Sequence, residues 1–280
     1  MDPFEALFLL PPVIQELQLS THVKVQVLRE DLRHPVLGGN KLWKLKYNLE
    51  NFSSESAKCI VTFGGAFSNH LLAISEICFM KNIPLHVFIR GEEQPTNSRI
   101  ERMKGQGTFI HYLSREDYRK KQDASFIDLL LSGYGIQNNA MIIPEGANNT
   151  AGQKGCSELA AHLPENTTHF MLAVGTGGTL HGITQNLPSS IHVVGIPVGH
   201  FGAFEHTAEN ITIFNQYAWK GYGKSEEQLD RFIVAFSEKH NLPLEPIYTG
   251  KLFYALQDLL LRNYFPESSC ITVLHSGGLG

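Results

Sequence analysis

Gly38-Gly39-Asn40-Lys41-Leu42-Trp43-Lys44-Leu45-Lys46-Tyr47 is the stretch from which this chain is best read. Two glycines make a turn, and the turn delivers a lysine onto the start of a helix that carries Leu42, Leu45 and Leu49 at helical spacing. Glycine permits backbone conformations closed to other residues and lets a ligand come close to the main chain. A lysine held on such a turn, rather than on a solvated face, suits covalent amine chemistry. Taken alone, the pattern reads more often as a plain loop before a charged helix face. Three further glycine-rich turns, set after apolar strands, change that balance.

Working outward, the composition bounds the possibilities. The chain has 280 residues, 42% hydrophobic and 18% charged, enough for a sizeable core in one large domain or two intimate ones. A net charge of −4 argues against a nucleic-acid binder, which usually shows a basic excess. No run of about 18 apolar residues predicts a membrane span. Met1-Asp2-Pro3-Phe4-Glu5 carries two acids and no basic region, so it does not read as a secretory signal. Cys59, Cys78, Cys156 and Cys270 are scattered, which predicts buried free thiols in a cytoplasmic, reducing compartment. The 13 histidines form no metal-binding spacing, so no metal is expected.

Short apolar runs predict strands at Lys24–Leu28, Cys59–Phe63, Leu85–Ile89, Thr108–Tyr112, Met141–Ile143, His169–Val174, Ile191–Ile196 and Ile271–Leu274. Runs without strict alternation suit parallel strands covered on both faces. Helical spacing is read over Lys41–Asn51, Asn69–Lys81, Ser98–Gln106, Thr150–His162, Thr179–Asn186, Ser225–Lys239 and Lys251–Tyr264. Alternation of the two predicts an α/β fold of mostly parallel sheets flanked by helices.

Gly64-Gly65-Ala66-Phe67-Ser68-Asn69-His70 follows a strand and opens a helix, where bare N–H groups suit a carboxylate. Ser68 is placed there as a nucleophile or base, or else simply as an N-cap. Gly175-Thr176-Gly177-Gly178-Thr179 also joins strand to helix. It has neither the Walker Gly-Lys-Ser/Thr nor the dinucleotide GxGxxG spacing, so it suggests a cradle for a small phosphate monoester. Pro144-Glu145-Gly146-Ala147-Asn148 and His275-Ser276-Gly277-Gly278 supply further turns at strand ends, where α/β sites gather.

In this order, Gly38-Gly39-Asn40-Lys41 with Lys44, Gly64-Gly65-x-x-Ser68-Asn69, Pro144-Glu145-Gly146, Gly175–Thr179, Gly221-Tyr222-Gly223 and Tyr248-Thr249-Gly250-Lys251 resemble the pyridoxal-5′-phosphate enzymes of the tryptophan-synthase-β type (fold type II). Within them the chain looks most like 1-aminocyclopropane-1-carboxylate deaminase and D-cysteine desulfhydrase. The resemblance implies a two-domain fold, with residues 1–46 and 161–280 forming the larger, cofactor-binding domain and residues 47–160 the smaller. The site would lie in the cleft between them. It implies that Lys41 carries the cofactor covalently, that Asn69 bonds its ring hydroxyl, and that Lys44 with Gly175, Thr176, Gly177, Gly178 and Thr179 holds its phosphate. Thr249 would meet the pyridine nitrogen. Ser68, Asn69 and His70 would face the substrate carboxylate, with Tyr222 and Tyr248 on the substrate side. A homodimer is also implied.

The deaminases of this family carry an acid where this chain has Thr249, and Gln where it has His70. A neutral hydroxyl leaves the ring nitrogen largely unprotonated and the cofactor a weaker electron sink. That suits β-elimination of a small amino acid such as D-cysteine to pyruvate, ammonia and sulfide, with Lys41, or Ser68 with a tyrosine, taking the α-proton. Deamination of the cyclopropane substrate, a serine-type dehydratase or racemase, and a non-catalytic vitamin-B6 carrier stand as alternatives.

Overall fold

The computed structural model describes residues 2–53, 55–93, 97–199, 209–221 and 223–278. Its helices are α1 Pro3–Ala6, α2 Asn40–Glu50, α3 Asn69–Met80, α4 Ser98–Gly105, α5 Arg115–Arg119, α6 Ala124–Gly133, α7 Thr150–Ser157, α8 Gly178–Thr184, α9 Glu227–His240 and α10 Thr249–Leu261. The strands are β1 Ile14–Leu17, β2 Lys24–Arg29, β3 Cys59–Gly64, β4 Leu85–Arg90, β5 Phe109–Leu113, β6 Ala140–Ile143, β7 His169–Val174, β8 His192–Pro197, β9 Ile211–Ile213 and β10 Cys270–His275.

They form two sheets, ordered β1-β2-β10-β7-β8-β9 and β5-β4-β3-β6. Every pairing is parallel except β1 with β2. The apolar runs therefore lie where parallel strands need them, covered by helices on both faces. The six-stranded sheet draws on residues 14–29 and 169–275, and the four-stranded sheet on residues 59–143. The expected boundaries at 46/47 and 160/161 fall inside α2 and inside the 3₁₀ turn Glu158–His162.

The strands β1 and β9 and the helices α1, α5 and α6 go beyond the sequence expectation. At four and three residues, β1 and β9 are too short to show a period. All four cysteines are buried and free.

Trp43 of α2 anchors the helix that follows the lysine turn. It is 1% exposed, packs with Leu28, Phe170 and Leu274, and donates its indole N–H to Glu30 Oε2 at 2.7 Å. Removing roughly 200 Å² of such a ring from water is worth about 5 kcal/mol. No helix among the described residues is long and apolar enough to cross a membrane.

Candidate active site

The lysine turn is locked from below. Gly39 has φ +105°, and a Cβ there would lie 1.9 Å from the Ser276 carbonyl oxygen. A Cβ on Gly277 would lie 2.0 Å from the Gly38 carbonyl oxygen. The two glycine turns thus interlock main chain against main chain, and any side chain would force them apart. Gly39 N–H donates to Glu30 O at 2.8 Å. Beneath lie the buried ion pairs Arg29–Asp31 (2.7 Å) and Arg33–Glu30 (2.6 Å), with His275 Nδ1 3.1 Å from Asp31.

Above the turn opens a cavity of about 390 Å³, within the usual range for a small-ligand site. The carboxyl ends of strands from both sheets reach it. Lys41 and Lys44 line it from α2, and Ser68, Asn69 and His70 from the start of α3. Gly175, Thr176, Gly177 and Thr179 follow β7, Glu145 and Gly146 follow β6, and Tyr248 precedes α10.

Lys41 Nζ donates to Asn40 Oδ1 at 2.9 Å and lies 5.7 Å from the centre of the Tyr248 ring. Burial, helped by the charge of Lys44, lowers its pKa to about 7. A desolvated lysine beside a second cation is the recognised way to hold an amine neutral and nucleophilic near neutral pH. Lys44 is 3% exposed, donates to Gly146 O at 3.1 Å, and is also pulled down by burial.

Lys44 faces the glycine turn. A Cβ on Gly178 would meet Lys44 Nζ at 3.1 Å and Asn148 Oδ1 at 2.4 Å. Gly177 takes φ +83°, which favours glycine. Asn40 Nδ2 donates to Thr179 Oγ1 at 2.8 Å, so one asparagine joins the lysine turn to the glycine turn. A glycine turn without side-chain bulk, beside a buried ammonium, is a cradle for a phosphate, and a neutral amine in the same cavity matches an aldehyde. The donor set therefore fits pyridoxal phosphate.

Ser68 N-caps α3, its Oγ accepting from Leu71 N at 3.4 Å, and it also lines the cavity. Asn69 Oδ1 accepts from Arg99 Nη1 at 2.9 Å. His70 is 2% exposed. The Thr62 hydroxyl donates to Ile143 O at 2.7 Å and so accepts from His70 Nε2 at 2.8 Å. That leaves His70 Nδ1 a bare acceptor, buried and with no hydrogen-bond partner. Burial, with Lys41 and Lys44, holds its pKa down to about 3, so the ring is neutral.

Two expected residues stand off the cavity wall. Gly178 lies behind it, against Asn148 and Lys44. Thr249 is fully buried, accepts from Glu245 N at 2.9 Å, and its hydroxyl lies 3.2 Å from the Glu245 carboxylate. Glu245 in turn accepts the N–H groups of Ile247, Tyr248 and Thr249 at 2.7–2.8 Å, capping α10. Tyr222 lies outside the described residues. Arg90, Tyr118, Arg119 and Lys121 join the cavity lining unexpected. Arg90 closes β4, a position a strand-end search could have found. The others come from α5 and the turn after it, a helix too short to show a period.

This fold and site define a pyridoxal-phosphate-dependent enzyme of the tryptophan-synthase-β type. The family model for pyridoxal-phosphate-dependent enzymes matches residues 10–277, and the chain belongs to that family. It is 27% identical to a Pyrococcus horikoshii protein assigned as a 1-aminocyclopropane-1-carboxylate deaminase, over 96% of this chain and 88% of that one. It is 24% identical to the Arabidopsis thaliana bifunctional D-cysteine desulfhydrase/1-aminocyclopropane-1-carboxylate deaminase, over 93% of this chain and 74% of that one. A crystal structure of a deaminase homologue superposes with a TM-score of 0.82 at 25% identity, covering 100% of this chain and 96% of that chain.

Proposed function

We propose that the chain catalyses β-elimination from a small amino acid of the D-cysteine type, giving pyruvate, ammonia and sulfide. The observation that carries this reading is an amine of pKa about 7 at Lys41, in one cavity with Lys44 and the glycine turn. Bound pyridoxal phosphate supplies the electron sink that acidifies the substrate's α-C–H bond. Lys44, Thr179 and the N–H groups of the Gly175–Thr179 turn would hold the phosphate. Asn69 would take the ring hydroxyl, while Thr249 stands behind the cavity wall with its hydroxyl on Glu245.

The neutral Lys41 amine would accept the α-proton at Nζ. The Ser68 oxygen already accepts from Leu71 N, so its O–H is left to donate to the substrate carboxylate. This favours a carboxylate anchor over a base. His70 Nδ1, a neutral lone-pair acceptor, would accept a hydrogen bond from the substrate's thiol, whose hydrogen stays on the departing sulfur. Tyr248, whose ring packs at Gly175, shields the reacting face. The net change is D-cysteine plus water to pyruvate, ammonia and hydrogen sulfide. The cavity lies in the cleft between a larger unit, residues 1–46 and 161–280, and a smaller one, residues 47–160. Exposed Leu9, Leu10 and Val13 support a homodimer.

The test is to record the visible absorbance of the purified protein with cofactor, then titrate D-cysteine and assay pyruvate and sulfide together. Perturbation of the band with equal pyruvate and sulfide supports the reading. Turnover of 1-aminocyclopropane-1-carboxylate with none of D-cysteine would move the chain to the deaminases. A band that no amino acid turns over would favour a carrier.

A further inference from the structure

Lys251 is fully buried on the first turn of α10, three residues past Tyr248. Its Nζ lies 2.8 Å from Val198 O, 3.1 Å from Ala218 O and 2.9 Å from Gly221 O. Three acceptors match the three N–H bonds of an ammonium. A neutral amine has two, and would turn its lone pair on the third carbonyl. The three carbonyls come from separate places: the end of β8, the 3₁₀ turn Asn215–Ala218, and the residue before Tyr222.

The cage is wired to the cavity. Val198 N–H donates to Val174 O at 3.0 Å, and Val174 and Gly175 line the cavity. One cation thus ties the end of β8, and through it the end of β7 that launches the glycine turn, to the first turn of α10 just past Tyr248. Main-chain carbonyls converging on one positive charge are the ligand set a free monovalent cation would take.

We propose that Lys251 is a tethered monovalent cation, a positioning residue that fixes the cavity wall formed by Val174, Gly175 and Tyr248. Shortening its side chain would open the cage to a free potassium or ammonium ion. The cage is a property of the fold, so its test by stability does not depend on the proposed reaction.

The experiment compares wild type, Lys251→Ala and Lys251→Met, cofactor-free, in potassium, ammonium or tetramethylammonium chloride at one ionic strength, reading Tm. Wild type should be indifferent to the cation, its own ammonium filling the cage. Lys251→Ala should lose roughly 5–10 °C in tetramethylammonium, which is too bulky to enter, as expected for stranded buried acceptors. It should regain much of this, saturably, in potassium or ammonium. Lys251→Met keeps the stem without charge or space, and should be destabilised in every salt. Turnover of the loaded proteins should follow the same order, with kcat affected more than KM.

A Lys251→Ala protein blind to cation identity overturns the proposal, as does a wild type that itself responds to potassium. Should Lys251→Ala be insoluble, Lys251→Met decides: an unchanged Tm overturns the proposal and a cation-independent loss upholds it. A cation-rescued Tm with no D-cysteine turnover would keep the cage and sink only the proposed reaction.

Discussion

Lys41 stands near the start of α2 with Asn40 Oδ1 at 2.9 Å as its hydrogen-bond acceptor among the described residues, and Lys251 stands near the start of α10 with three main-chain carbonyls. Burial lowers the pKa of both. What differs is what the protein returns for the lost water. Around Lys251 three oxygens replace hydration and hold the proton on. Around Lys41 the neighbours are Lys44, which repels a second charge, and an open cavity, so the proton is easily lost, at about pH 7. A buried lysine becomes a reactive amine where acceptors are withheld, and a structural cation where they converge.

The hardest test of the contrast is Lys41→Ala. In the proposed reaction this removes both the cofactor's anchor and the proton acceptor, so turnover should fall by roughly three orders of magnitude. The visible band of the loaded protein should also be lost. Retained turnover would show that another group does the chemistry. Lys44→Ala should act differently, since in the proposed site its ammonium serves the phosphate. The loss of one charge-assisted hydrogen bond, about 1.5–3 kcal/mol, should weaken cofactor affinity about 10- to 100-fold. Equilibrium dialysis measures it, and unchanged affinity would remove Lys44 from the phosphate site.

The pH dependence of cofactor uptake sharpens the comparison further. Only the neutral amine attacks an aldehyde, so uptake by the cofactor-free protein should rise through pH 7 and level off above it. An ordinary lysine would still be climbing beyond pH 9. Between about pH 7 and the ordinary lysine value near 10.5, the folded protein holds fewer protons at Lys41 than the unfolded chain. Lys41's contribution to stability is therefore least favourable below pH 7 and improves as pH rises through that window.

Much of this site was legible in the sequence because its parts are turns, and turns announce themselves by glycine. The Gly38–Lys41 and Gly175–Thr179 segments were found that way, and the eight short apolar runs set out most of the two mainly parallel sheets. What stayed hidden had no local signature. Lys251 reads as one more helical lysine, because its three carbonyls belong to residues 30 to 53 positions away. The Thr62 contact that fixes the His70 tautomer arises from the packing of α3 on β3. The placement of Thr249 was the instructive difference: the motif points it at the cavity, but Glu245, four residues earlier, engages its hydroxyl as it caps α10.

Glu245 also gives the finest test, because its charge acts on both lysines. It raises the pKa of Lys41 and of Lys251 against the larger effect of burial. Its own carboxyl is pushed up by burial and held back by the N–H groups of Thr249, Ile247 and Tyr248. Glu245→Gln removes the charge and keeps one oxygen for the cap. Both lysines then lose a stabilising partner for their protonated forms, with unequal consequences. Lys41 is already poised near neutrality, so the midpoint of cofactor uptake should move below pH 7. Lys251 keeps its three carbonyls and should stay charged, leaving the protein as indifferent to potassium as wild type. The cost in stability should be about 1–2 kcal/mol for the weakened cap. If the uptake midpoint stays at pH 7, Glu245 does not act on Lys41 through charge. If instead potassium begins to stabilise the variant, the cage depends on Glu245 as well as on its carbonyls, and the two lysines are less independent than their surroundings suggest.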